Sequence, residues 1–600
     1  MKQIVIFSAL LCAVSSLANA ETIEKLDEVV VTATRMPQSL GKTIAHSTVL
    51  NEKEIRDSGA PDVATLLRSM SGVEIAQSGG LGLLSSTYMR GSNSNQVLVL
   101  IDGVRLNSAT SGATALEHIM LESIERIEVV RGNVSSLYGS EAIGGVIQLF
   151  TKKGQGKPSF TAGVGAGTYG TQRMAVGFAG EVDQTSFSLN AGKVKTDGVS
   201  AMNTKLVPNA NPNSNGYDNN TFNSQIKYVV TTDHTVIASL FATRGDASFD
   251  SAYGVSTDLN NTRVNLDKRS LVFEDKFSEG WRSTVRFAQG VDESLSYKNS
   301  ALSSRFQTQS NQLVWQNNLS WSETQRLNLG IEYLGQIVAS DTLFTQTTRN
   351  VNSLLAGYVG DYGSQQVQLN LRGDSYSDFG SVNTGLLGYG VEFSEDWRAT
   401  ASVSNAFKAP TFNDLFYPGY ANPNLKPERS QNQELGIHYS DNRHSVDVIY
   451  FDNRIRDLIT LDSLTYIPFN TNQAQITGEE LSYIGDYGNK QVKATATFQN
   501  PRNTTTGLLL SRRAREFASI AATHDFGDWS MGAGVRYSGE RVDGTHILAS
   551  YHLANLTMRY KVDKHLELSG RIDNVFNRDY AEVYSYNTLG RTLFVGLNYR

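Results

Sequence analysis

Across residues 156–600, apolar and polar side chains alternate in short runs separated by turn residues. In "VKATATF", Val492, Ala494, Ala496 and Phe498 share one face, while Lys493, Thr495 and Thr497 share the other. "VQLNLRG" repeats this with Val367, Leu369 and Leu371, and "TLFVGLNYR" with Leu593, Val595, Leu597 and Tyr599. A period of two puts successive side chains on opposite faces of a strand. A strand that crosses a bilayer takes about 10 residues, so a strand and its connection at about 20 residues predict on the order of 22 strands. Short polar turns alternate with long stretches such as "AMNTKLVPNANPNSNGYDNN". That asymmetry fits a membrane barrel with short periplasmic turns and long outer loops. The competing reading is a large soluble β-propeller or β-helix, but no signature recurs at 40 to 50 residues.

Residues 36–155 have a mixed α/β texture. "EKEIRDSGAPDVATLLRSMSGV" predicts a helix: Asp62, Val63, Leu66, Leu67 and Met70 are helically spaced, Pro61 lies near the start and Gly72 ends it. "QVLVLIDGVRL" predicts a strand, a tight Asp102-Gly103 turn and a second strand. "LESIERIEVVRGN" sets Ile124, Ile127 and Val129 among charges, and "SSLYGSEAIGGVIQLFTKK" reads as a turn and then a strand. A compact domain of about 120 residues is an ordinary size.

The first 20 residues read as a secretory signal, with Lys2, an apolar run from Ile4 to Val14, and Ala18-Asn19-Ala20 as a small-x-small cleavage site. The mature chain then begins at Glu21, and residues 21–35 form a separate N-terminal segment. Here "LDEVVVTATR" concentrates β-branched residues, which favour extended backbone. It has no hairpin turn beside it and no obvious partner strand.

Composition narrows the classes. The only cysteine, Cys12, lies in the signal, so the mature chain has neither disulfides nor thiol chemistry. Losing Lys2 takes the formal charge from −6 to −7, and no basic run suggests nucleic acid. After the signal, no apolar run approaches the roughly 18 residues of a membrane helix. Fifty-two glycines, with 26 tyrosines and 25 phenylalanines, suit a barrel with a polar lumen, though also a soluble β-protein. H-E-x-x-H, G-x-S-x-G and P-loop motifs are all missing, so nothing marks an enzyme. A soluble exported β-rich hydrolase remains the reading from another class.

Several motifs resemble TonB-dependent outer-membrane receptors. "DEVVVTATR" resembles a TonB box, and "VLVLIDGVRLN" and "IERIEVVRGNVSSLYGSEAIGGVIQLFTKK" resemble the family's plug domain. "SNAFKAPTFNDLFYPGYANPNLKPERSQNQELG" and "RIDNVFNRDY" resemble barrel segments. The resemblance implies an all-β outer-membrane protein: a 22-stranded antiparallel barrel over 156–600 with an α/β plug, 36–155, in its lumen. Within the family, "SGGLGLLSSTYMRGSNSNQVLVLIDGVRLN" and "YAEVYSYNTLGRTLFVGLNY" are most similar to the cobalamin-receptor branch. That implies active transport of cobalamin into the periplasm, and not catalysis. A ferric siderophore or other chelate is the alternative cargo. A histidine expected near "NPNL" in haem receptors is missing from 401–437.

The same resemblance implies site residues and partners. Asp27, Glu28, Val29, Val30, Val31, Thr32 and Ala33 would add as a strand to TonB, powered by the inner-membrane ExbB–ExbD complex. Leu84, Ser86 and Asn93 on one plug apex, Thr110 and Ser111 on the other, and Arg512 on the barrel would meet the ligand. The tyrosine-bearing barrel loop of the family has no counterpart in "SGERVDGTHILASYH". Asp197, Asp218 and Asp250 fall on calcium positions, but Asn220 and Asn261 stand where the family has Asp, which removes two charges. Plug arginines Arg90 and Arg131 would latch onto barrel glutamates Glu434 and Glu480. A periplasmic binding protein would receive the cargo, and outer-membrane lipid would surround the barrel.

Overall fold

The computed structural model describes residues 29–462 and 465–600, so the signal segment, Asp27 and Glu28 lie outside the described residues. Among the described residues, 22 strands from Ser159–Gly167 to Thr592–Tyr599 close into an antiparallel barrel, the number the sequence predicts. The first and last strands pair directly, from Ala162 opposite Tyr599 to Gly167 opposite Phe594. Closure leaves no sheet edge, which is what lets strands stand in hydrocarbon with every backbone group paired.

The alternation sorts residues in the opposite sense to a water-soluble fold. Leu369 and Leu371 are exposed on the outer surface, while Gln368, Asn370 and Arg372 are buried in the lumen. Leu593, Val595, Leu597 and Tyr599 likewise face outward. Four of the five tryptophans, Trp281, Trp321, Trp397 and Trp529, flank turns at the short-turn end. They form the aromatic belt of a membrane interface. The molecule is therefore an outer-membrane β-barrel.

The lumen holds a plug. Its elements are β1 (Val29–Val30), β2 (Gln38–Ser39), β3 (Ser47–Leu50), α1 (Glu52–Ser58), α2 (Val63–Leu67), β4 (Val73–Gln77), β5 (Ser85–Met89), β6 (Val97–Ile101), β7 (Val104–Arg105), β8 (Ile124–Arg131), α3 (Ser135–Tyr138) and β9 (Gly145–Thr151). The main sheet runs β3-β8-β9-β6-β7, with only β6 and β9 parallel. β6 is buried on both faces: Val97, Val99 and Ile101 enter one core and Leu98 and Leu100 the other. This explains its unbroken apolar run.

The β6–β7 turn forms as expected, with Asp102 and Gly103 both left-handed at φ 47° and 78°. The expected helix is instead two. Gly59 ends α1 at φ 64°, and the Asp62 side chain accepts from Thr65 N to start α2. A left-handed C-cap followed by Pro61 stops one helix before the next begins, and this outweighs the helical periodicity.

Plug and barrel meet through small apolar patches, such as Leu83 and Met120 against Val194 and Tyr217, and through polar groups. Lys268 Nζ lies 2.7 Å from Asp102 Oδ2. Arg398 donates to the carbonyls of Gly41, Lys42 and Thr43 at 3.1, 3.1 and 2.8 Å. Arg68 pairs with Glu582 at 2.5 Å. A cavity of about 800 Å³ remains beside α1 and α2, lined by Thr65, Ser69, Arg131, Ser445, Thr495 and Asn555 among others. The plug thus sits in the lumen without filling it.

Lys268 is fully buried. Lys268→Met should leave the Asp102 carboxylate with only the Thr151 donors and lower plug stability by about 3 kcal/mol. Denaturant unfolding followed by hydrogen exchange in β6 and β7 checks this. Adding Asp102→Asn should restore part of the loss.

Candidate functional site

Both plug apices lie at the end of the barrel that carries the long loops. The first joins β4 to β5, closed by Ser78 N donating to Leu84 O at 2.9 Å. Gly82 has φ 78°, and a Cβ there would stand 2.1 Å from the Tyr217 ring, so only glycine fits. The turn lifts Leu84 into solvent at 67 % exposure, with Ser86 half-buried behind it. The second apex follows β7. Asn107 pins it, accepting from Val99 N at 2.9 Å and donating to Gly112 O at 2.8 Å. Ser111 is exposed but Thr110 is buried. The helix α4 (Phe412–Phe416) sits on this apex, with Phe412 N on Ala109 O at 3.0 Å and Asn413 N on Thr110 O at 3.4 Å.

On the barrel side, Arg512 Nε donates to Asp543 Oδ1 at 2.8 Å, and its side chain stays 37 % exposed. Tyr584 N donates to the other Asp543 oxygen at 2.8 Å, and the Tyr584 and His546 rings stack at 3.5 Å. The neighbouring Arg513, which sequence reading passed over, reaches the plug instead. It donates to the Asn93 side-chain oxygen and lies 4.2 Å over the Tyr88 ring. The adjacent arginines in "SRRARE" were the only signal, and their spacing cannot say which one turns inward.

The three aspartates at the calcium positions are not brought together. Asp218 Oδ2 pairs with Lys193 at 3.0 Å, and both Asp250 oxygens accept amide donors, from Met202 N and Asn215 Nδ2 at 3.0 Å each. Asp197 points toward Gly170. Among the described residues, no group of three or more His, Cys, Asp or Glu side chains is placed to hold a metal.

The latch forms around Arg90. It donates to Glu480 from Nε at 2.9 Å and Nη2 at 3.1 Å, and Nη1 pairs with Glu434 at 2.7 Å. His46 Nδ1 also meets Glu480, at 2.8 Å. Arg131 departs from its expected role. Its Nε donates to Ser71 O at 2.8 Å and its Nη1 to Thr48 Oγ1 at 2.9 Å. Arg90 already occupies both carboxylates, so Arg131 braces the plug internally.

The N-terminal segment also departs from expectation, because it has partners within the chain. Val29 and Val30 pair with Ser39 and Gln38. Val30, Thr32 and Ala33 are buried, while Val29 and Val31 face outward. Arg35 makes an ion pair with Glu332 of the barrel.

These features define an outer-membrane barrel closed by a plug, and the chain belongs to the TonB-dependent receptor family. Residues 39–146 match the TonB-dependent receptor plug domain, and residues 164–575 the TonB-dependent receptor-like β-barrel. Members of the family transport their ligands and work with TonB and ExbB–ExbD; they are not enzymes. The chain is 31 % identical to the vitamin B12 transporter BtuB of Vibrio vulnificus, over 99 % of this chain and 98 % of that one. Its identity to the Photobacterium profundum BtuB is 27 %, over 96 % and 95 %. Among solved structures, the ferric enterobactin receptor PfeA of Pseudomonas aeruginosa superposes with a TM-score of 0.81 at 19 % identity, covering 95 % of this chain and 100 % of that one. The siderophore receptor PirA of Acinetobacter baumannii gives 0.79 at 19 %, covering 92 % and 98 %. At that identity the likeness speaks to the fold.

One buried acid under the first apex should make the stability of that apex depend on pH. Ser85 Oγ donates to Glu117 Oε2 at 2.6 Å. Burial pushes the Glu117 carboxyl up from 4.5 to about 8, against the pull of Ser85. A raised acid pKa stabilises the folded apex below about 4.5, and that stability is lost as pH rises through about 8. Hydrogen exchange at the β4–β5 hairpin, corrected for intrinsic rates, should show protection falling from pH 5 to pH 9. Glu117→Gln should flatten the profile.

Proposed function

We propose that the cargo is a large metal chelate, with cobalamin as the first candidate. The observation that carries this reading is the outer face itself. An exposed apolar apex at Leu84 stands with hydroxyl and amide groups at Ser86, Asn93 and Ser111 and a ring surface at His546 and Tyr584. A flat corrin with amide side arms needs such a mixture of broad contact and scattered hydrogen bonds. The similarity to two vitamin B12 transporters over nearly the whole chain supports it. The second reading is a ferric siderophore or another anionic chelate. Arg512 favours it, because a partly exposed guanidinium at the ligand face suits an anion.

In either case the cargo docks on plug apices and outer loops, the plug shifts, and TonB draws on the N-terminal strand. Cargo then passes to a periplasmic binding protein. Titrating purified receptor with cyanocobalamin and a set of ferric siderophores decides between the cargoes. Saturable cyanocobalamin binding is expected; binding of a siderophore alone transfers the function to the second reading. Val29→Pro removes a strand N–H at an exposed position. It should abolish energy-dependent uptake while leaving ligand affinity within about twofold.

Calcium is proposed only as a weak ligand of the outer loops. As they stand, the residues do not fit it: Asp218 would have to leave Lys193, and Asp250 its amide donors. Calorimetric titration of the ligand-free receptor should give a Kd of about 10⁻⁴ M or weaker, and Asp218→Asn should weaken it further.

A further inference from the structure

One stretch of the barrel's outer wall carries charge that the protein itself does not neutralise. On the strands Glu428–Ser440 and His444–Leu461, Arg429 and Arg456 stand directly opposite each other, and Arg454 lies opposite Gln431. All three arginines are exposed and share the outward face with Leu435, Ile437, Val448 and Tyr450. Like charges opposed across a ladder destabilise it. Among the described residues, the guanidinium groups of Arg429 and Arg456 meet no carboxylate. Arg454 Nη2 pairs with Asp452 at 2.9 Å, and the other Asp452 oxygen accepts from Gln475 Nε2 at 2.9 Å. That acid is fully occupied, and the cluster keeps a net positive charge. Three other cations of the barrel wall have a carboxylate each: Lys193 meets Asp218 at 3.0 Å, Arg263 meets Asp246 at 2.7 Å and Arg305 meets Glu293 at 2.9 Å.

Strand geometry sets the height of the cluster. A strand tilted about 40° climbs about 2.5 Å per residue, and the apolar band of such a barrel is about 25 Å tall. Arg429 lies ten residues from Tyr439, and Arg456 ten residues from Val446 opposite it. Tyr439 packs on Trp397 of the aromatic belt, with ring centroids 5.0 Å apart. The arginines therefore stand at the outer rim of the hydrocarbon, where lipid phosphates lie. Beneath them come the amides of Gln431 and Gln433, then Leu435 and Tyr450, then Ile437 and Val448. A lipid has the same order, from phosphate through polar linkage to acyl chain. The ladder to the next strand, Pro468–Asp486, is irregular between Ile455 and Ile459, and no residue of that strand opposes Arg456.

We propose that Arg429, Arg454 and Arg456 hold the phosphate of a phosphorylated outer-leaflet lipid, whose acyl chain lies along Leu435, Ile437, Val448 and Tyr450. The planar guanidinium fork matches two phosphate oxygens at once. A phosphate between Arg429 and Arg456 turns a repulsive pair into an attractive cluster. The lipid supplies the counter-charge that the chain lacks, so the site is complete only in a membrane with phosphate at its outer face. It lies on the outside of the wall, apart from the plug and the cargo face.

Native mass spectrometry tests this on the full mature receptor, stripped of lipid in a neutral detergent and titrated with bisphosphorylated lipid A. The parent should retain one lipid A in preference to any further copies. Arg429→Gln combined with Arg456→Gln should weaken that first binding event on the order of tenfold, while Arg263→Gln should leave it unchanged. Heat-modifiable mobility on a gel reports that each barrel is folded. Should the double variant lose that mobility, Arg456→Gln alone decides. Lipid A with both phosphates removed should bind the parent as weakly as the intact lipid binds the double variant. Equal affinity of the parent and the folded variant for lipid A would overturn the site. So would an equal loss in Arg263→Gln, the mark of diffuse attraction to a charged surface. Displacement of lipid A by an equal concentration of inorganic phosphate would also overturn it, because the site would then take a free anion and not a lipid.

Discussion

Everything in this molecule depends on one requirement: a backbone in hydrocarbon must have each of its N–H and C=O groups bonded within the protein. A closed ladder of strands satisfies it. A closed ladder has two faces, and lipid takes the apolar one. The other face must then be polar, which is why Gln368, Asn370, Arg372 and Lys268 line the lumen. A plug in such a lumen shares only patches of apolar surface with it, as where Leu83 and Met120 meet Val194 and Tyr217, or where Phe241 and Leu266 join the plug core. Between those patches it is held by ionic and hydrogen-bonded contacts such as Arg90 on Glu434 and Glu480, Lys268 on Asp102, and Arg398 on three plug carbonyls.

Contacts of that kind suit a part that must move. A buried ion pair contributes little net stability against an apolar contact of the same size, but it is expensive to break singly. The plug can therefore be well placed and still exchange one polar environment for another when water enters. The cavity beside α1 and α2 already provides room. The plug's own stability comes largely from two apolar layers on either side of its five-stranded sheet, one of which also takes in Phe241, Val264 and Leu266 of the barrel.

The periodicity of the chain made the barrel legible. Val367 to Leu371 and Leu593 to Tyr599 show which face is apolar without any structure, and strand length sets the count. Local chemistry was equally readable at Asp102-Gly103. The single helix expected from "EKEIRDSGAPDVATLLRSMSGV" divides into two because Gly59 and Pro61 punctuate the stretch ahead of the helically spaced positions 62–70. At the site, Arg90 was legible as a latch residue only through its family resemblance. The capture of the N-terminal strand, by Glu128 on the Val31 and Thr32 amides and by Tyr138 on the Thr32 carbonyl, was not legible at all. It joins residues about a hundred positions apart, and the carboxylate responsible sits in a strand whose apolar neighbours explain its fold completely. The choice between Arg512 and Arg513 failed for a related reason. Adjacent arginines at a loop turn are equivalent in sequence, and only the loop's path sends one toward Asn93.

The seam between the strands Ser159–Gly167 and Thr592–Tyr599 sets a schedule for biogenesis. It joins positions such as Thr168 and Leu593, 425 residues apart, through direct hydrogen bonds. Until the final strand emerges from the translocation machinery, the opening strand has a bare edge, and a bare edge has no tolerable place in hydrocarbon. Membrane insertion must therefore wait for synthesis to finish. During that wait the chain crosses the periplasm with its lipid-facing leucines and valines exposed to water, so its survival there depends on escort by chaperones.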